Sequence, residues 1–426
     1  MKSTVLLLLA FMITGCGGPS ENPGTVKPQT SQSAPAEPGT TGKVTISVWE
    51  NYANEEHDFF VRMAREYEQS HPGISVEVSQ IPWADHMAKY RTSLTVNAAP
   101  DIGRIEVGNL AELASNDALF TLDDLGVRDV EKEYLPAAFA SNVYKGKVYG
   151  LPDQITGVCL FCNKKLFIEA GLDPDKPPTT WDEFIETAKK LTDPAKQIWG
   201  FGMDNGLWWS FPFFNTFGAK FISEDGKKCL LDSPQAIQAF QLKVDLYRKH
   251  KVEGGAWLPG AINSEIGFLN GRYAMVLMGP WNVKNFQKAG IDFSVSLIPS
   301  GPAGTSTNVG GTDMVLFKSS KHPKEAYDFL RFVSGADYQA EWSSKLSQIP
   351  TNLLSNSIIS PSENPIISIF ITQMKTAVPR PSLKFWLKCE EIMAPEMEAA
   401  ISGKKTVQEA LASAVSRINQ EVLPLE

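Results

Sequence analysis

Cys159 and Cys162 stand three apart, the spacing of a thiol–disulfide centre or of half a zinc site. Their setting argues against both. Val158 to Cys162 is an apolar run expected to form a strand. On a strand, residues three apart face opposite sides, with Cα atoms roughly 10 Å apart. That is beyond the reach of a disulfide. Cys229 and Cys389 supply no second C-x-x-C to complete a zinc site. Buried thiols are the expectation, and a bridge from one of the pair to Cys229 or Cys389 is the alternative an oxidising compartment allows. Other catalytic signatures are missing: no G-x-S-x-G, no H-E-x-x-H and no phosphate-binding loop. The five histidines are scattered in helical or turn contexts without partners. Hydrolysis of glycosidic bonds would need two carboxyl groups at a set separation, which spacing along a chain does not establish. The expectation is a protein that is not an enzyme and uses no metal or cofactor.

Charge narrows the classes further. The net charge of −8 is spread without long runs of one sign, and no Lys/Arg cluster carries interleaved aromatics. A nucleic-acid binder would need such a basic face. The chain has 10 Trp, and Trp beside Gly and Pro in loops suits the wall of a ligand site.

The first residues speak to compartment. Lys2 precedes an apolar run from Val5 to Ile13, and Ile13-Thr14-Gly15-Cys16 follows. So short a run does not cross a bilayer as a stable helix, so residues 1–15 are expected to be a signal peptide. Ile-Thr-Gly-Cys resembles the bacterial lipobox, which would make Cys16 an acylated N-terminus. Residues 17–42 are rich in Gly, Pro, Ser, Thr and Gln, too poor in apolar residues for a core, and are expected to be a flexible tether.

Beyond the tether the elements become legible. A chain of 426 residues is too long for one core and implies two domains. Val44, Ile46 and Val48 alternate, so residues 43–49 are expected to be a strand. Residues 54–70 place Phe60, Met63, Ala64 and Tyr67 on one helical face before His71-Pro72-Gly73 stops the helix. Ile74, Val76 and Val78 alternate again. Strand, helix, strand means a right-handed crossover in a parallel sheet. Ligands of such sheets sit beyond the carboxyl ends of strands, which points to Trp49-Glu50-Asn51 and, after a later strand or turn, to Asp101 and Glu106. Thr180 with Glu183 is a predicted capping box, Ser233-Pro234 a helix start. Residues 323–334 and the stretch opening at Thr406 are further predicted helices. The class is α/β.

The residues now resemble a family: the bacterial extracellular solute-binding proteins of the maltose- and trehalose-binding type. The resemblance rests on motifs in order: residues 64–76, then Ala99-Pro100-Asp101-Ile102 with Asn109-Leu110-Ala111-Glu112-Leu113. Tyr149-Gly150-Leu151-Pro152 follows, ahead of Asn163-Lys164-Lys165-Leu166-Phe167, then Gly171-Leu172 and Thr180 to Phe184. Gly279-Pro280-Trp281, Gly310-Gly311 and Ser320-Lys321-His322-Pro323 come next. Pro379-Arg380-Pro381 and Gly403-Lys404-Lys405-Thr406 close the series. The resemblance implies a two-lobed, Venus-flytrap clamp of two α/β lobes joined by crossing hinge strands. Residues 43–153 plus 313–350 would form the N-terminal lobe and 157–309 plus 355–426 the C-terminal lobe. It implies a monomer, outside the cytoplasm and lipid-anchored, that carries a carbohydrate to the transmembrane permease subunits of an ABC importer.

Sugars combine flat apolar ring faces with a rim of hydroxyls, so a site needs aromatic platforms and planar polar groups. By resemblance, Trp281 and Trp386 would stack on the ligand, one of Trp208 and Trp209 would face the cleft, and Arg380 would be the bidentate cation. Glu50, Asn51, Asp101 and Glu106, with Asp85 of lower rank, would bond hydroxyls from lobe one. Gln154 and Thr156 would touch both lobes from the crossing segment, with Gly311 and Asp313 at another crossing. Thr312 departs from the family: several members carry an aromatic just after the Gly-Gly pair. A missing platform favours a smaller sugar or a polyol over a maltose-sized ligand. Glycerol 3-phosphate, a polyamine, a glycoside-acting enzyme and a sensor module are the rival readings.

Overall fold

The computed structural model describes residues 43–52, 55–358 and 364–426. The expected signal peptide, Cys16 and the expected tether lie outside the described residues. Among those described, no helix is long and apolar enough to cross a membrane.

The strands that position the site are β1 (Val44–Glu50), β2 (Ile74–Gln80), β3 (Ile102–Glu106), β4 (Gly150–Thr156), β5 (Cys159–Asn163), β6 (Trp199–Gly202), β7 (Tyr273–Met278), β8 (Phe293–Ser296) and β9 (Gly310–Leu316). They form two sheets, β2-β1-β3-β9-β4 in lobe one and β8-β5-β7-β6 in lobe two. The predicted crossover is present: β1 pairs with β2 in parallel, Val44 opposite Ile74 through Glu50 opposite Gln80. Helix α1 (Glu55–Ser70) connects them and buries Phe59, Phe60, Met63, Ala64 and Tyr67. Its aromatics meet Phe329, Tyr338 and Trp342 from the helices Pro323–Val333 and Ala336–Leu346. Residues 310–346 therefore return to lobe one. The helices Trp386–Ser402 and Val407–Glu421 then pack into the core of lobe two.

Thr156 opposes Gly310 and Ile155 opposes Gly311, so the first sheet extends past the expected boundaries at Asp153 and Asp313. The pairing slips one residue further on, where Thr312 faces Gln154 but Asp313 faces Pro152. Pro152 has no N–H for the ladder, and a bulge accommodates it. Asp153 is the extra residue, buried at 1% exposure. At the same crossing Gly311 has φ +129°, and a Cβ there would run into the Gln154 carbonyl oxygen. Only glycine fits both conditions.

Two local expectations are settled here. The four described cysteines are free and buried, and burial pushes every thiol pKa up. Cys162 packs on one face of β5 with Phe184 and Phe201, whereas Cys159 packs on the other with Phe161 and Phe268. At Thr180 the capping box is only half made: its hydroxyl accepts from Glu183 N, but the Glu183 carboxylate bonds Thr179 N and Oγ1. The full box forms at Thr406 with Glu409.

Candidate functional site

A cavity of about 770 Å³ lies between the lobes. Lobe one supplies Asn51 beyond β1, Glu106 at the end of β3, Gln154 and Thr156 on β4, and Gly311 on β9. Lobe two supplies Trp209, Trp281, Arg380 and Trp386. These nine predicted residues, distant in sequence, share one wall-to-wall space.

Glu50 and Asp101 do not line it. Glu50 is fully buried, and its carboxylate accepts from Tyr52 N at 2.6 Å and contacts His57 Nδ1 at 2.6 Å. Burial raises its pKa. Asp101 precedes β3, whereas Glu106 ends it. A strand of that length separates them by roughly 16 Å, so Asp101 sits at the amino end, away from the cleft. Its Oδ2 accepts from Ser47 N and Oγ at 2.9 and 2.7 Å, and its Oδ1 from Ser320 Oγ at 2.6 Å. It ties β1 to the loop after β9. Asp85 precedes helix α2 (His86–Thr95) outside the lining. Asp313 is held by Ser141 and Asn142 in the interior, where burial pushes its pKa well up.

The polar wall is organised by a residue that the sequence reading missed. Arg104, in the middle of β3, has a side chain only 3% exposed. Its Nε donates to Asp153 Oδ2 at 2.7 Å, Nη1 to Asn51 Oδ1 at 2.5 Å and Nη2 to Gln154 Oε1 at 2.6 Å. Its guanidinium lies 3.8 Å from the ring centroid of Tyr52. Because arginine only donates, the oxygens of both amides must face it. The Gln154 amide nitrogen donates to Gln348 Oε1 at 2.6 Å. Asp153 also accepts from the hydroxyls of Tyr52 and Thr312. The signal for Arg104 was available: a lone charge between Ile102 and Ile105 in a strand that reads as buried.

The apolar wall is a tryptophan cluster. Trp208 and Trp209 meet edge to face with centroids 4.8 Å apart, and Trp281 lies 6.2 and 6.4 Å from them. Both Trp208 and Trp209 line the cavity, while Phe211, Phe213 and Phe214 are core. Gly279 is what lets Trp281 fold back, since a Cβ would fall on its six-membered ring. Trp386 touches the cavity but is 2% exposed. Its ring packs on Phe211 and Phe221, and its Nε1 donates to Glu390 at 2.8 Å. It is a buried support more than an open platform. Trp83, half-exposed in lobe one, adds an aromatic that was not anticipated, as does His86 a polar group.

Among the described residues, two ion pairs join the lobes: Arg380 of lobe two bonds Glu106 of lobe one at the cavity, and Lys288 of lobe two bonds Glu55 of α1. Glu106 also accepts from Gly108 N at 2.9 Å. Glu390 stands 4.0 Å from Arg380 on the other side, and burial raises its pKa. Among the described residues, no group of His, Cys, Asp or Glu could hold a metal ion.

The chain as a whole, two α/β lobes about this cavity, has relatives. The chain is 26% identical to the GacH receptor of Streptomyces glaucescens, solved unliganded and with acarbose, at a TM-score of 0.79 over 88% of this chain and 98% of that one. It is 25% identical to the cyclic alpha-maltosyl-1,6-maltose binding protein of Arthrobacter globiformis, at a TM-score of 0.80 over 90% and 100%. In sequence it is 25% identical to the sn-glycerol-3-phosphate-binding periplasmic protein UgpB of Salmonella typhimurium, over 88% of this chain and 92% of UgpB. The family model for bacterial extracellular solute-binding proteins matches residues 53–340, and the chain belongs to that family.

Proposed function

We propose that this protein is the substrate-binding component of an ABC importer and captures a neutral oligosaccharide in its cleft without turning it over. The observation that carries this reading is the pairing of the Trp208–Trp209–Trp281 wall with the Asn51–Arg104–Gln154 wall. Aromatic faces stack on sugar rings, and fixed polar groups select hydroxyls. The cavity volume, about 770 Å³, falls in the range that encloses drug-sized ligands and leaves room for several sugar rings. Trp83 and Trp208 offer the stacking area that Thr312 does not. The GacH receptor, solved with acarbose, and the Arthrobacter protein, which binds cyclic alpha-maltosyl-1,6-maltose, lend support.

UgpB keeps a phosphate ligand in view, but the charges here oppose it. Arg104 is matched by Asp153, and Arg380 by Glu106 with Glu390 nearby. A phosphate would meet those carboxylates as well as the guanidiniums. A thermal-shift panel of maltose, maltotriose, mannotriose, sn-glycerol 3-phosphate and spermidine decides. An oligosaccharide is expected to raise Tm with concentration, with no new reducing ends released. A rise with glycerol phosphate or spermidine alone would overturn the sugar, and turnover would overturn simple binding.

Anchoring through Cys16 belongs to the same proposal, supported by the Ile-Thr-Gly-Cys pattern at the end of the apolar run. Two or more acyl chains would hold the protein at the membrane, next to the permease. Cells given labelled palmitate are expected to label the wild-type protein and not Cys16→Ser; equal labelling of both removes the anchor from this residue.

A further inference from the structure

His86 opens helix α2 and is 6% exposed, yet it lines the cleft. Its Nδ1 bonds the carbonyl oxygen of Trp83. A carbonyl oxygen can only accept, so Nδ1 carries the ring proton. The neutral ring then presents a bare lone pair at Nε2. That atom is buried and has no hydrogen-bond partner among the described residues. Such atoms are rare in folded proteins, because burial without a partner forfeits the bond to water. In lobe two, the Nε of Arg380 is buried and unpartnered in the same way, and it too belongs to a residue of the cleft wall.

One lobe thus holds an unused acceptor and the other an unused donor. A ligand bearing hydroxyls satisfies both, because each hydroxyl donates and accepts. We infer that His86 is a recognition residue: its Nε2 lone pair accepts a hydrogen bond from a ligand hydroxyl, while Arg380 Nε donates to another. The inference rests on the carbohydrate reading and gives it a selectivity, for ligands that offer an O–H at this end of the cleft.

It also makes binding sensitive to acid. Burial is the largest influence on His86 and lowers its pKa; the Trp83 carbonyl and Glu106 act upward, Arg104 and Arg91 downward, and the net shift is down. The charged groups around the ring are therefore Arg104 and Glu106 of β3 and Arg91 of its own helix. A proton at Nε2 removes the acceptor, so ligand and proton compete. Affinity is flat near neutrality and falls as pH drops below the ordinary imidazole value of about 6.5.

Calorimetric titration of maltose, maltotriose and mannotriose into wild type, His86→Phe and His86→Gln, from about pH 8 to about pH 5, spans that titration. His86→Phe is expected to bind roughly tenfold more weakly near neutrality, the worth of one buried hydrogen bond. His86→Gln, whose Oε1 can accept in place of Nε2, is expected to keep most of the affinity and lose the acid fall. Wild-type affinity in the Phe variant overturns the assignment. So does an acid fall that persists in the Gln variant, since it would then belong to another group. The Gln arm decides alone where the Phe variant does not fold. If none of the three sugars binds wild type, the carbohydrate reading fails and takes this inference with it; if wild type binds and the variants match it, only the role of His86 falls.

Discussion

Arg104→Met is expected to lower the unfolding free energy by about 3–5 kcal/mol, the cost of leaving one partner of a buried ion pair behind. Methionine approximates the length of the side chain but offers no donor. Asp153, 1% exposed, would then have only the hydroxyls of Tyr52 and Thr312 to satisfy it. The amide oxygens of Asn51 and Gln154 would lose their donors as well. Each broken bond leaves a buried acceptor unpaired, which costs more than the bond itself contributes. Against a typical total of about 5–15 kcal/mol, the variant is marginal. Urea denaturation measures the change. Adding Asp153→Asn is expected to restore part of the loss, because the buried charge is gone. A loss under about 1 kcal/mol would mean that water reaches Asp153 and that the network is not sealed.

Trp281→Ala is expected to weaken binding of the recognised oligosaccharide by about 2–4 kcal/mol, the range of an aromatic anchor in a desolvated site. Trp281 is the middle of the apolar wall, touching both Trp208 and Trp209. It is only partly buried and packs on the edge of the lobe-two core, so its removal costs stability less than a core tryptophan would. The expected signature is a large fall in affinity with a small fall in Tm. Trp281→Phe, which keeps a ring face, is expected to recover part of the affinity. Calorimetry on the three proteins checks this, and an alanine variant with unchanged affinity would take Trp281 out of the site.

Glu50 and Asp101 show how position and orientation come apart. The rule that ligands gather beyond the carboxyl ends of strands points to Glu106 and Asn51, which line the cavity, because it concerns where a chain leaves a sheet. It does not say which way a side chain turns. Glu50 ends β1 at the right level, but it turns inward to Tyr52 N and His57. Asp101 stands before β3 rather than after it, at the amino end of the strand, where the rule does not apply. Arg104 and His86 were missed for the opposite reason. A lone charge in an apolar strand flags a position, as Arg104 does, but its role, like that of a histidine at a helix start, follows only from its partners.

What the sequence by itself determined was whatever depends on near neighbours. Alternation in β1 and β2, the apolar face of α1, the helix start at Thr406 and the opposed faces of Cys159 and Cys162 are set within a few residues, where backbone geometry gives side chains a fixed period. The ordered motifs determined the family in the same local way. Only the tertiary structure decided the cleft. Arg104 meets Asn51, Asp153 and Gln154 because β1, β3 and β4 lie in one sheet with a bulge at Asp153, and Arg380 meets Glu106 only because the lobes face each other. Those contacts join residues up to 274 positions apart, and a hydrogen bond depends on angstroms in space that no spacing along a chain records.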